Sequence, residues 1–474
     1  MQFLIKINKS LYKHERNKTI MTQAEATFSI STNFCFKNTV ESNNISLEHS
    51  PNIEEAKKIL EFNDLNNGEI NYSFLDWALK NNISYESIWW FVVNICGNND
   101  AQITSTVNTL FNRYKIYFDE TNNCIKFKFK DSSGKTNAQW YNDFVLGGIV
   151  FTGDTCPIDT EELFSKFNIQ KSALDDPKLK HIAPHKGEDK DRLLTILKSK
   201  NLSILLQTLY DTKNVYLHWT NQNLLFYSLV DIIDSISDDA LYNIYLKNLI
   251  YNAAIHNQDI MCILAKYDYP NIKEDAVKEF CLELKEWFIA VRDAGEMSEY
   301  ENWSYLISKI KKIKTKDDLL FITDNEDYLL IDNFVPLYSL RIQTFANSEL
   351  YFDECGIVQE KIDSFTAILC TSRKTQYAFL NSRDDKLLSL SDMVIGLTGA
   401  LMAYLNTHSI NRIKMDFSKL SITQKENLRL FFKIRLKSSL YNMFFDHSNI
   451  IESTKVKCDL ITNLLGIDKR YIII

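Results

Sequence analysis

An α/β fold is what this sequence predicts: a mixed sheet with helices, joined to a helical N-terminal domain and a large helical insertion. Three observations predict it. Short apolar runs of strand character fall into two separated parts of the chain, Lys115–Phe151 with Val215–Trp219 and then Leu350–Asp353 with Gln376–Leu380. Between them, residues 222–345 carry helical apolar spacing, as in Leu225, Leu229, Ile232, Ile233 and Ile236. Only 12 Gly and 6 Pro occur in 474 residues, which argues against many tight turns or a sandwich of small strands.

The elements follow in order. Residues 1–50 are polar and read as a loose lead-in, with Met21 an alternative start. Residues 51–112 form a small helical domain, from the spacing of Ile53, Ala56, Ile59 and Leu60 and later Ile88, Phe91, Val92 and Ile95. Asn63–Glu69 has the look of a calcium loop, but Leu65 and Phe74 stand where oxygen ligands belong. The first part of the sheet domain spans 113–220. Lys115–Asp119 is a strand, Cys124–Lys130 alternates with Lys126, Lys128 and Lys130 on one face, and Phe144–Phe151 is apolar enough for a strand buried on both sides. The insertion occupies 221–345, the second part of the core 346–410, including a helix from about Leu390 to Asn406, and a helical tail 411–474.

Composition excludes several classes. The chain is 45% hydrophobic and 24% charged, which is globular rather than disordered. Nine cysteines without a C-x-x-C pair exclude zinc-ribbon and thioredoxin-like spacing and suggest reduced thiols in a cytoplasm. No uninterrupted apolar run approaches a membrane span, and the N-terminal apolar run is too short for a signal peptide. Neither membrane insertion nor export is expected. The net charge of −7 makes binding of nucleic acid by overall charge unexpected, which leaves local basic surfaces for that task. Candidates are the Lys126/Lys128/Lys130 stripe, Lys309–Lys316, and the segment bearing Arg429, Lys433, Arg435 and Lys437.

The chemistry sits in a repeated pattern. Ile116-Tyr117-Phe118-Asp119-Glu120 and Leu350-Tyr351-Phe352-Asp353-Glu354 are both apolar strands that end in two carboxylates. A third acid, Asp392, lies on a helical face with Leu388, Gly396 and Gly399, where a charge is costly unless paired or metal-bound. Asp119, Asp353 and Asp392 are hard oxygen ligands suited to Mg²⁺ or Mn²⁺, and Glu120 is a further acid beside them. Ions so held activate water and stabilise the leaving oxygen in phosphodiester cleavage. Arg373 and Lys374, with Lys126 and Lys128, are candidates for contact with a phosphate backbone. An Arg such as Arg373 or Arg383 is the alternative partner for Asp392. His181 and His185 flank Pro184 and lack a third ligand, His218 reads as a packed strand residue, Gly147-Gly148 as close packing, and Cys355 has no supporting His.

Three segments, Tyr117-Phe118-Asp119-Glu120, Phe144-Val145-Leu146-Gly147-Gly148-Ile149-Val150 and Phe379–Gly396, resemble the bacterial family known as domain of unknown function 3800. That family opens with D-E-S-G, continues with F-V-L-G-G and closes with an L-Q-L-A-D helix. Here Thr121-Asn122 replaces Ser-Gly and Ser389-Leu390-Ser391 replaces Gln-Leu-Ala. The likeness covers 113–220 and 345–406. It implies an RNase H-like core, implicates Asp119, Glu120, Asp353 and Asp392, and associates the chain with anti-phage defence. The expected function is a Mg²⁺-dependent nuclease or phosphodiesterase acting on nucleic acid. Two alternatives remain: an inactive RNase H-like scaffold that binds a protein partner through the helical insertion, and an effector that needs an activator.

Overall fold

The computed structural model describes residues 52–65, 112–185, 190–237, 239–295, 297–345, 347–369, 376–448 and 451–467, with isolated positions between 77 and 109. The chain divides into two compact units. The first is Met1–Arg113 with Thr344–Asn347 and Leu440–Phe444; the second holds everything else. In the first unit, helix α1 (Ile53–Leu65) starts where Asn52 accepts hydrogen bonds from the Glu54 and Glu55 backbone, and buries Ala56 and Ile59. Of Asn63–Glu69, the first three residues end α1 and the rest lie outside the described residues, as do the helical pattern at Ile88–Ile95 and Arg373 and Lys374.

The second unit is a mixed α/β structure built on a six-stranded sheet. Its strands are β1 (Tyr114–Thr121), β3 (Asp143–Thr152), β4 (Val215–Asn223), β6 (Glu349–Asp353), β7 (Gln376–Leu380) and β8 (Asp446–Ser448). A separate two-stranded sheet pairs β2 (Phe127–Lys128) with β5 (Leu329–Ile331). The main sheet runs β7-β6-β1-β3-β4-β8. β1, β3 and β4 are antiparallel neighbours, β6 and β7 add in parallel on the β1 side, and β8 adds in parallel to β4.

Strand periodicity sorts the β1 side chains. Tyr117 stacks on Tyr351 and Phe151 on one face, while Phe118 stacks on Phe352 and meets His218 edge-on at the other. Asp119 therefore shares the Tyr117 face and Glu120 the Phe118 face. Helices α2 (Thr160–Ser165), α3 (Leu179–Ile182), α4 (Arg192–Ile196) and α5 (Lys200–Asp211) follow β3. Six more, α6 (Leu224–Ile236), α7 (Ala240–His256), α8 (Asp259–Lys266), α9 (Val277–Ala294), α10 (Tyr300–Ile310) and α11 (Val335–Thr344), fill the sequence between β4 and β6. Apart from Thr344 at the end of α11, they belong with the sheet to one unit. After β6 come α12 (Gly356–Leu369), α13 (Lys386–Thr407), α14 (Ile410–Lys419), α15 (Ile422–Tyr441) and α16 (Glu452–Leu464).

α13 organises the Tyr117 face, packing Leu388, Met393, Val394, Leu397 and Leu401 against the sheet and the flanking helices. By length and composition it could cross a membrane, with a mean hydropathy of 1.5, although Ser389, Ser391, Asp392 and Thr398 break its apolar residues into short runs. Of that apolar window, 83% is buried inside the fold, so its hydropathy is accounted for by core packing.

Three strands differ from the sequence reading, among them β5, which lies inside the stretch 221–345 expected to be helical. Cys124–Lys130 keeps its alternation only from Phe127 onward and joins β5 rather than the main sheet. Asn122 and Ile125 adopt φ of +60° and +62°, and the Lys126 amide turns back onto the Cys124 carbonyl, so the chain leaves the sheet after β1. In the main sheet the antiparallel run is completed by β4, not by this segment. β8 was hidden in the expected helical tail because Asp446-His447-Ser448 has no apolar alternation.

Candidate metal centre

The two look-alike strands lie side by side. β1 and β6 pair in parallel with Phe118 opposite Phe352, so Asp119 and Asp353 leave adjacent strands at the same end. The third acid arrives because α13 approaches the sheet closely. A Cβ on Gly148 would fall 2.2 Å from Ser391 Oγ, and one on Gly399 would fall 2.6 Å from the Thr121 methyl. Within that contact the Ser391 hydroxyl bonds to the Tyr117 carbonyl at 3.2 Å and lies 3.3 Å from the Ile149 amide. Asp392, the next residue, is thereby set beside Asp119.

The loop entering α3 adds two residues that sequence patterns did not reveal, Asp176 and Lys178. The Leu179 amide donates to Asp392 Oδ2 at 2.8 Å, fastening the loop to α13. His181 Nδ1 accepts from the Lys178 amide at 3.1 Å, so this histidine shapes the loop rather than binding a ligand. Lys178 Nζ reaches Ser382 Oγ at 3.1 Å, Asp176 Oδ1 at 3.6 Å and Asp119 Oδ2 at 3.8 Å. Asp176 is itself held by the Ser389 hydroxyl at 2.9 Å. Among the described residues the cation at the acids is thus Lys178, and not Lys126 or Lys128. Lys126 pairs with Asp332 at 3.1 Å, and Lys128 is exposed on the separate small sheet.

The electrostatics follow from burial. Asp119 is 6% exposed, and its Oδ1 accepts from the Glu120 amide at 2.7 Å. Its buried Oδ2 has no hydrogen-bond donor, only the Lys178 ammonium at ion-pair distance. Burial raises its pKa well above the ordinary carboxylate value; Asp392, Glu120 and Asp353 raise it further, and Lys178 opposes them. Burial likewise raises Asp392 and Asp353, against the pull of Lys178 and of backbone amides. Glu120 is also raised by burial, but it faces Asn123 and Tyr338 on the opposite side of the sheet. Hard carboxylate oxygens, one buried oxygen without a donor and a surplus of negative charge fit a divalent cation held by few protein ligands.

No family model, curated protein or solved structure matches this chain. Geometry alone therefore weighs the remaining candidates. Asp191, His408 and Asp416 place one ligand atom each within 4.8 Å of one another, the one such set among the described residues. The Asp416 oxygens already receive Arg412 Nε at 2.8 and 2.9 Å and the Tyr404 hydroxyl at 2.9 Å, and His408 Nε2 lies 2.8 Å from Asp191. A guanidinium thus supplies the positive charge there. The Asp119 cluster is wider, with Lys178 between its carboxylates, and has an oxygen to spare.

Other candidates have structural duties. His218 is fully buried, its Nε2 2.9 Å from the Tyr117 carbonyl, and burial and Arg341 push its pKa well down. Gly147 and Gly148 serve close approach to Trp219 and Ser391. The Cys355 thiol is pushed up by burial and by Glu120, the reverse of what a nucleophile needs. Arg435 bonds Asp446 at 2.6 Å beneath Trp219, and Lys437 donates to the carbonyls of Leu209, Tyr210 and Thr212. These two cations of α15 are spent within the fold.

Proposed function

We propose that this chain is a Mg²⁺- or Mn²⁺-dependent nuclease or related phosphodiesterase with an RNase H-like core. The observation that carries the reading is the convergence of Asp119, Asp353 and Asp392 from two parallel strands and one packed helix, with a buried Asp119 oxygen that no donor satisfies. An antiparallel meander of β1, β3 and β4, extended on the β1 side by two parallel strands, supports the RNase H-like reading. So does Asn122: it takes the left-handed conformation at the position where the family of unknown function 3800 carries glycine, and asparagine is the side chain that best tolerates it. Anti-phage defence is the role that this resemblance suggests.

In this reading Asp119, Asp353 and Asp392 hold the metal. When bound, it supplies an activated water and charge stabilisation of the leaving oxygen in hydrolysis of a phosphodiester. The protein's share is to fix the carboxylates: the amides of Glu120, Glu354 and Leu179 each orient one oxygen, and the close seat of α13 keeps Asp392 beside β1. A second reading, a non-catalytic scaffold that uses the helices between β4 and β6 to bind a protein, is favoured by one observation. Lys178 already compensates part of the acid charge without a metal.

Cleavage of labelled single- and double-stranded DNA and RNA, with and without Mg²⁺ or Mn²⁺, separates the two. The nuclease reading expects metal-dependent cleavage that Asp119→Asn and Asp392→Asn abolish. Full metal-dependent cleavage by Asp119→Asn refutes the mechanism. No cleavage of any substrate, together with no metal binding, favours the scaffold.

A further inference from the structure

The loop ahead of α3 places one carboxylate and one ammonium into a centre that already holds Asp119, Asp353 and Asp392. Asp176 is fixed by the Ser389 hydroxyl of α13 at 2.9 Å, the helix that carries Asp392. Lys178 lies between Asp176 at 3.6 Å and Asp119 at 3.8 Å, anchored on Ser382 at 3.1 Å. Its side chain is 19% exposed, so a route to solvent exists. The facing oxygen, Asp119 Oδ2, is buried and receives no hydrogen bond, because 3.8 Å is too long for one. Lys178 thus neutralises the site by charge without satisfying its most buried ligand atom. Four carboxyl groups, with Glu120 on the other face of the sheet as a fifth, act on a single ammonium, so acidic groups outnumber the cation there.

We infer that Asp176 is a further metal ligand of this centre, and that Lys178 is a tethered cation that occupies the metal's place until a divalent ion displaces it. The inference rests on the metal-centre reading above and adds how that centre is kept closed. A lysine suits the task because its flexible four-carbon stem can withdraw a compact charge along one path. A divalent ion brings two charges and fills the missing contact to Asp119 Oδ2, which the ammonium leaves open. The three anchors of the loop, Leu179 to Asp392, Lys178 amide to His181 and Asp176 to Ser389, do not involve the ammonium, so they persist when it leaves.

The test is Mn²⁺ titration of the full chain by calorimetry, for wild type, Lys178→Met, Asp176→Asn and the double variant Asp119→Asn/Asp392→Asn. Removing the competitor is expected to tighten Mn²⁺ binding at least about tenfold, and removing the ligand to weaken it by a similar factor. Unchanged or weaker binding by Lys178→Met overturns the competition, and unchanged binding by Asp176→Asn overturns its role as a ligand. If neither wild type nor Lys178→Met binds Mn²⁺, the metal-centre reading itself fails. A measurement on the wild type stands independently of whether the variants fold. Acetylation by acetic anhydride, read by peptide mass, should rise several-fold at Lys178 when Mn²⁺ is added, and either no rise or protection overturns displacement.

Discussion

Asp119→Asn should make the metal-free protein more stable while it removes metal-induced stabilisation. The substitution keeps the acceptor that the Glu120 amide uses at 2.7 Å and replaces the donor-less Oδ2 with an amide that can donate to a neighbouring carboxylate. A buried polar group without its partner costs about 1–3 kcal/mol, more when charged, so a gain of that order is expected near neutral pH. For a unit of this size, that raises the melting temperature by about 1–4 °C. The pH dependence has a definite sign. Asp119, Asp353, Asp392 and Glu120 have folded pKa values raised above the ordinary carboxylate value, so the folded state binds more protons. The stability they contribute is full below the ordinary carboxylate range and is lost as pH rises through their raised values. The advantage of Asp119→Asn over wild type should therefore widen as pH is raised from about 5 to about 8. Mg²⁺ at about 100 times its dissociation constant should add about 2.7 kcal/mol to wild type and little to the variant. Thermal melts monitored by circular dichroism, with and without Mg²⁺, measure all of this. A variant that is less stable than wild type without metal at pH 8, or equally stabilised by Mg²⁺, would refute the reasoning.

Three further substitutions test the frame around the centre. Gly148→Ala puts a methyl 2.2 Å from Ser391 Oγ and 2.4 Å from the Tyr117 carbonyl, and should cost about 3 kcal/mol or more because one of those atoms is backbone; urea unfolding checks it, and a loss below about 0.5 kcal/mol contradicts the close seat of α13. Asp143 accepts from the side-chain amides of Asn221, Asn223 and Asn406 at 2.5, 2.9 and 2.8 Å, so Asp143→Asn sets one amide against another and should cost about 1–3 kcal/mol; unchanged unfolding would show that the amides can reorient. Lys247 and Asp234 form a buried pair at 2.8 Å within α6 and α7, and Lys247→Met should cost about 3–5 kcal/mol while leaving Mn²⁺ affinity unchanged; altered affinity would tie these helices to the centre.

Much of the candidate site was legible in the sequence, for one physical reason. Apolar strands that end in carboxylates violate strand preference, and so does a carboxylate on an apolar helix face, so Asp119, Asp353 and Asp392 stood out against their surroundings. The likeness of the β1 and β6 sequences marked both strands but did not say that they pair, which the parallel register alone reveals. What stayed hidden was carried by irregular structure. Asp176 and Lys178 sit in a loop whose composition is ordinary, Asp-Asp-Pro-Lys, and only the hydrogen bonds to Ser389, His181 and Asp392 give that loop a fixed place. The Lys126–Lys130 stripe was misassigned for the converse reason. Its alternation was real from Phe127 onward, but alternation cannot say which sheet a strand joins, and the left-handed residues Asn122 and Ile125 turned it away.

The centre depends on packing as much as on its acids. Charge repulsion among Asp119, Asp353 and Asp392 would drive β1, β6 and α13 apart if nothing else held them. What holds them is apolar and close: Tyr117 on Tyr351 at 4.8 Å, Phe118 on Phe352 at 4.4 Å, and the glycine-lined contact of α13 with β3. Metal-free, the cluster stays a strained set of carboxylates with raised pKa values, relieved in part by Lys178. In the proposed metal centre that strain is what a divalent ion would release, which is why removing a single carboxylate should stabilise the fold and weaken metal binding together. A substitution that loosens the packing instead, such as Gly148→Ala, should weaken both. The two classes of variant therefore move stability in opposite directions and metal affinity in the same one, a pattern that a simple stability defect cannot produce.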